Sequence, residues 1–152
     1  MNVDVILNGR AATLDARSDE MLLPALRRQG LLSVRETCGI GVCGACTVLL
    51  DGEPVSGCLM LTAAAAGREI TTVEGLDEAD PVLRAFNEEH AFQCGWCTPG
   101  FVLTAKALLA ANPDPTEEEI VEGLGGNLCR CGCYVKIVEA VSAAARDRSE
   151  VR

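Results

Sequence analysis

Rings are scarce in this chain. Phe, Trp and Tyr make up only 3% of the residues, and His90 is the single histidine. A core so poor in rings has to be filled by Leu, Val, Ile and Ala. A lone histidine with no acid patterned beside it reads as a surface or helix-end residue rather than a base or a metal ligand. Positive charge is also short. Against 22 Asp and Glu stand 13 Lys and Arg, a net charge of −9, which leaves no basic surface to displace counterions from nucleic acid. No apolar run approaches the roughly 20 residues of a membrane-spanning helix. The opening MNVDVILNGR lacks the basic start and apolar stretch of a secretory signal. The expectation is a cytoplasmic chain with no membrane insertion and no nucleic-acid partner.

Cysteine, by contrast, is abundant: nine in 152 residues. Disulfides seldom persist in a reducing compartment, so a cysteine-dense chain there points to metal or redox chemistry. An odd number also leaves at least one sulfur outside any fully paired scheme.

The two halves carry different periods. Val3 to Leu7, Asn8-Gly9 and Arg10 to Leu14 form a hairpin pattern, because Asn-Gly supplies the two positive φ angles of a type I′ turn. Thr47 to Leu50, Asp51-Gly52 and Glu53 to Ser56 repeat it, and Glu69 to Val73 reads as a further strand. Between the hairpins, Met21 to Gln29 has helical spacing, with Gly30 as its stop; Pro24 is tolerated only in a first turn, which moves the start towards Leu23. The second half predicts helices over Pro81 to His90, over Pro99 to Ala111 with Thr98 as N-cap, over a short segment opened by a Thr116/Glu119 capping box, and over Tyr134 to Arg146. The change of period falls between about Gly75 and Pro81.

The cysteines sort into two sets. Cys38, Cys43, Cys46 and Cys58 follow C-x4-C-x2-C-x11-C in the glycine-rich stretch ETCGIGVCGACTV, the spacing of a plant-type [2Fe–2S] site. Zinc sites more often use closely spaced pairs. Cys94, Cys97, Cys129 and Cys131 follow C-x2-C-x31-C-x1-C, each pair just before a predicted helix, where free N–H groups favour thiolate and a negatively charged cluster. FQCGWCTPG on its own could also be a thioredoxin-like dithiol, but Cys94 follows a helical segment and the CRC pair needs a partner. By spacing alone, a zinc site stays open for this second set.

ETCGIGVCGACTVLLDGEPVSGC, FQCGWCTPGF and NLCRCGCYVKI together resemble the small iron–sulfur subunit of the xanthine oxidase family of molybdenum hydroxylases, over nearly the whole chain. The resemblance implies an α+β fold: an N-terminal β-grasp, ferredoxin-like domain at 1–76 and an all-α four-helix-bundle domain at 77–152, each with one [2Fe–2S] cluster. It implies that Cys38, Cys43, Cys46 and Cys58 bind the outer cluster, and that Cys94, Cys97, Cys129 and Cys131 bind the inner one. It also implies that Gln93 and Cys131 contact a pterin. Further implications are a large partner subunit carrying molybdopterin of the cytosine dinucleotide type, a medium subunit carrying FAD, a dimer of heterotrimers, and a non-catalytic electron-transfer role. Many relatives read C-R-C-T-G-Y where this chain has Cys129-Arg130-Cys131-Gly132-Cys133-Tyr134, which makes Cys133 the ninth sulfur. It reads either as an alternative ligand or as a small buried residue, and the latter is favoured.

Two other functions compete with electron transfer within a complex. A free-standing electron carrier or redox sensor would purify alone. A zinc-stabilised interaction module would hold zinc without acid-labile sulfide.

Overall fold

The computed structural model describes the backbone of residues 1–150 and the side chains through 147. Both expected hairpins form. Asn8 and Gly9 take φ of 51° and 75°, and Asp51 and Gly52 take 51° and 88°, the left-handed pair that lets two residues reverse a twisted ribbon. Strands β1 (Asn2–Leu7), β2 (Arg10–Asp15), β3 (Thr47–Leu50), β4 (Glu53–Ser56) and β5 (Glu69–Thr71) build one mixed sheet in the order β2-β1-β5-β3-β4, with β1 and β5 parallel. Strand β3 is buried at every position because it is covered on both faces.

Helix α1 (Leu22–Arg28) buries Leu22, Leu23, Ala25 and Leu26 against the sheet. Its first turn has no side-chain cap. Instead the N–H groups of Leu22 and Leu23 donate to the carbonyls of Met60 and Gly57 at 2.7 and 2.9 Å, which pins the segment that carries Cys58.

Four helices follow: α2 (Pro81–Glu88), α3 (Thr98–Ala111), α4 (Glu117–Gly123) and α5 (Tyr134–Glu150). Asp80 caps α2 by accepting from the Val82 N–H, and His90, at φ 53°, turns the chain out of the end of that helix, the helix-end role expected of it. The Thr116/Glu119 capping box is present. Helix α3 is apolar nearly all round, as befits a helix packed between the sheet and the other helices.

Three local expectations need correction. Cys97, not Thr98, precedes α3, and Thr98 is already helical, with its hydroxyl oxygen buried and unpaired among the described residues. The strand expected over Glu69 to Val73 stops at Thr71, because Val73–Gly75 tightens into a 3-10 turn. Helix α5 runs on past Arg146 to Glu150.

Two apolar cores result. One lies under the sheet around Leu14, Leu26, Leu50 and Ile70; the other lies within the bundle around Phe86, Phe101, Ile120 and Ile137. Cys46 and Cys58 belong to the first core, and Cys129 and Cys133 to the second. The fold is thus the β-grasp and helical-bundle pair expected from the sequence.

Candidate metal centres

The first cysteine set lies on the loop between α1 and β3, with Cys58 just beyond β4. Gly41 and Gly44 take φ of 74° and 68°, a region costly for any residue with a Cβ. These angles curl the loop so that its amides point inward. The N–H groups of Ile40 and Cys43, helped by the Cys43 thiol and the Val42 N–H, pull the Cys38 thiol down to about 6. Cys46 goes the other way, to about 11, chiefly through burial and then through its contact with Cys58. Cys38 and Cys43 thus act on one another's ionisation, as do Cys46 and Cys58, and Cys43 acts on Cys46 through charge.

The second set combines the turn before α3 with the turn before α5. Burial pushes Cys97 up to about 12, reinforced by its hydrogen bond to Cys129. Desolvation opposes ionisation of Cys129 too, but the N–H groups of Cys133 and Cys131 and the thiols of Cys97 and Cys133 bring it below the ordinary thiol value. The Cys133 N–H lies 3.5 Å from Cys129 Sγ, and the Trp96 N–H lies 3.5 Å from Cys94 Sγ. Tyr134 holds the turn closed by accepting from the Cys129 N–H at 2.8 Å. Gly132, at φ 75°, permits the tight reversal between Cys131 and Cys133.

These sulfurs suit an anionic iron–sulfur group in three respects. The donors are all cysteines, free of disulfides. Backbone N–H groups are aimed at them. The buried Thr98 hydroxyl beside Cys97 is left without a partner among the described residues. Among those residues, no three His, Cys, Asp or Glu converge as donors to one ion. Exposure is uneven: Cys94 is exposed, Cys38, Cys43, Cys97 and Cys131 are half-buried, and Cys46, Cys58, Cys129 and Cys133 are buried. Gln93 is exposed beside Cys94.

A cavity of about 360 Å³ separates the two sets, walled by Cys43 from the first and by Cys94, Cys97 and Cys129 from the second. Arg35 stacks over the Trp96 ring at 4.8 Å, and Trp96 Nε1 donates to Thr37 Oγ1 at 2.8 Å. Sequence reasoning missed Asn127. This side chain is only 4% exposed; its amide donates to the Gly44 carbonyl at 3.0 Å, and its oxygen accepts from Thr104 Oγ1 at 2.9 Å. The signal was a polar residue two places before a cysteine, too common to single out. Arg130 is exposed and lines the same cavity.

Comparison with known proteins agrees with this geometry. Residues 5–74 match the 2Fe-2S iron-sulfur cluster binding domain, and residues 72–142 match the [2Fe-2S] binding domain. The second match sets aside the zinc alternative for the CRC half. The nicotine 6-hydroxylase small subunit of Paenarthrobacter nicotinovorans is 49% identical over 144 residues, covering 93% of this chain and 87% of that one. The nicotinate dehydrogenase small FeS subunit of Eubacterium barkeri is 48% identical, covering 95% and 94%. The crystal structure of quinoline 2-oxidoreductase from Pseudomonas putida 86 superposes with a TM-score of 0.93 at 38% identity, covering 99% of this chain and 96% of that one. Two cluster-binding domains in one chain, matched along nearly its whole length, mean that it belongs to the small iron–sulfur subunits of the xanthine oxidase family of molybdenum hydroxylases, the electron-transfer components of those enzymes.

Proposed function

We propose that Cys38, Cys43, Cys46 and Cys58 hold one [2Fe–2S] cluster and that Cys94, Cys97, Cys129 and Cys131 hold the other. When bound, such clusters accept and release single electrons. The chain supplies the rest. Its inward amides offset the negative charge at the sulfurs, its two cores keep Cys46, Cys58 and Cys129 away from water, and its turns fix the spacing between the sets.

The exposed edge at Gln93 and Cys94, with half-buried Cys131, is the face offered to a large molybdopterin-binding subunit, where Gln93 and Cys131 would meet a pterin of the cytosine dinucleotide type. The loop of Cys38 and Cys43 is the face offered to a medium FAD subunit. The functional units are 1–76 and 77–152, the assembly is a dimer of heterotrimers, and the compartment is the cytoplasm. Among the described residues no helix is long and apolar enough to cross a membrane.

One observation carries this reading: both cysteine sets border the same cavity. Two centres placed so close form a relay rather than two independent sites. The test is anaerobic purification of the chain with whatever accompanies it, followed by metal, flavin and acid-labile sulfide analysis and low-temperature EPR. The expected result is two distinct rhombic [2Fe–2S] signals together with molybdenum and flavin. Colourless protein without inorganic sulfide would overturn the proposal, and a chain that purifies alone with both signals would make it a free-standing carrier.

A further inference from the structure

The chain carries a net charge of −9, yet the space between its two cysteine sets is lined with the opposite sign. Among the described residues, no Asp or Glu lines the cavity they share, and its one charged wall residue is Arg130. A second cation stands behind the Trp96 wall, the guanidinium carbon of Arg35 lying 4.8 Å from the centre of that ring. Two contacts fix it there. The Arg35 N–H donates at 3.1 Å to the carbonyl of Ala45, which sits between Cys43 and Cys46, and Trp96 Nε1 donates to Thr37 Oγ1 at 2.8 Å. Trp96 itself lies between Cys94 and Cys97, so the stack joins the loop of one set to the turn of the other. Arg35 is half-buried, and among the described residues it takes part in no ion pair. Its Nε is buried without an acceptor. A guanidinium drawn partly out of water with no carboxylate beside it costs free energy, and an indole face offsets only part of that. The negative charge it lacks is what a [2Fe–2S] group on four thiolates would bring to either side.

We propose that Arg35 is the shared counter-charge of the two cysteine sets, raising the reduction potential of both clusters. This rests on the reading that each set holds a redox cluster. Reduction adds one electron to a group that is already an anion; no bond forms or breaks and no proton moves. A fixed cation nearby stabilises the reduced form more than the oxidised one, and most strongly where water is excluded. Arg130 is exposed, so water and salt screen it, whereas the Arg35 Nε is shut away from both. Trp96 is then a platform that holds the cation in place. The rival role for Arg35 is a clamp, with the flat guanidinium packing the ring and the charge incidental. Lysine separates the two, because it keeps the charge and lacks the plane that stacks.

The test uses the chain within its purified complex, with iron and acid-labile sulfide measured first. Three variants are compared with the parent. Arg35→Met removes the charge and keeps an apolar stem. Arg35→Gln removes the charge and keeps a planar end. Arg35→Lys keeps the charge alone. A redox titration followed by EPR gives the midpoint of each set separately. The expected result is a lower midpoint for both sets in the two neutral variants, with a severalfold smaller reduced fraction of each at the parental midpoint. Each set should keep its own g-values, and Arg35→Lys should stay near the parent. Unmoved midpoints in the neutral variants overturn the proposal, and so does a fall confined to one set. A fall in Arg35→Lys as large as in Arg35→Met also overturns it, since the stack and not the charge would then matter. Should one neutral variant lose its iron, the other is read in its place. Loss of iron from both neutral variants while Arg35→Lys stays loaded supports the proposal, because the charge is then needed to hold the clusters; loss from all three overturns it. A parent complex lacking the iron and sulfide for two clusters overturns the functional reading itself, a result distinct from two loaded clusters with unmoved midpoints.

Discussion

Replacing Asn127 by aspartate should destabilise this protein more than replacing it by alanine, although aspartate is the closer match in shape. The alanine cost follows from what each partner retains. The Gly44 carbonyl also accepts from the Thr47 N–H at 3.2 Å and the Thr47 hydroxyl at 2.7 Å, and the Thr104 hydroxyl also reaches the Gly100 carbonyl at 3.0 Å. Neither partner is orphaned, so Asn127→Ala loses two hydrogen bonds at about 1 kcal/mol each, about 2 kcal/mol in all. Aspartate puts a second acceptor 3.0 Å from the Gly44 oxygen, where the amide nitrogen had been. It also buries a charge where, among the described residues, the side chain's hydrogen-bond partners are neutral, and the cost rises to about 3–5 kcal/mol. For a chain of this length each kcal/mol is worth about 2–4 °C, so thermal transitions should fall by roughly 4–8 °C for alanine and roughly 6–20 °C for aspartate. The assay is thermal loss of cluster absorbance and of far-UV circular dichroism, at one scan rate throughout because unfolding with cluster loss is irreversible. Thr104→Val supplies a check, since it leaves Asn127 Oδ1 buried without a donor; combined with Asn127→Ala it should cost less than the sum of the two. An aspartate variant as stable as the alanine one would refute the amide orientation and the hydrogen bonds of Asn127 to Gly44 and Thr104 with it.

Other outcomes follow from the same geometry. Cys43→Ser should remove about half of the iron and acid-labile sulfide and one EPR signal, while Cys94→Ser should remove the other; loss of both signals from either change would mean that the sets do not assemble separately. Cys133→Ala should keep both signals, because alanine retains the backbone N–H that reaches Cys129 and the lost packing at this buried site costs only about 1 kcal/mol; metal analysis showing half the iron would make Cys133 a ligand. Glu20 is held down at about 2, first by its hydrogen bond from Arg28, against some desolvation. A carboxylate depressed in the folded state adds stability that is complete above its ordinary 4.5 and is lost as pH falls towards 2. A carbon-13 titration of the Glu20 carboxyl run downward from neutral pH should therefore find no midpoint near 4.5, whereas Arg28→Met should restore one there.

Much of the fold was written in short-range signals. Asn8-Gly9 and Asp51-Gly52 dictate their hairpins by backbone angle alone, and Thr116 with Glu119 announces a helix start in four residues. The cysteines were legible for a similar reason, since a loop that wraps a cluster needs fixed spacing and glycine. What escaped depends on contacts distant in sequence. Thr98 looked like a cap because threonine before proline usually is one, yet the turn is set by Cys97 and the approach of the other half. Residues Asn127 and Gly44 lie 83 positions apart, and no local pattern marks either as the partner of the other. The turn at Val73–Gly75 was hidden likewise: Ser33 donates to Glu74 from its hydroxyl and its N–H, and Asn8 Oδ1 accepts from the Thr72 N–H at 2.8 Å.

A Cβ on Gly44 would lie 2.4 Å from the Gly126 oxygen and one on Gly100 2.3 Å from the Gly44 oxygen, and this absence of side chains bears on how such proteins can be recombined. Each half has its own interior, which invites grafting the sheet portion of one relative onto the helical portion of another. A hybrid whose donors disagree at these two glycines or at Asn127 would have to shift one half away from the other to relieve the collision. Exchange between relatives must therefore carry these three residues together.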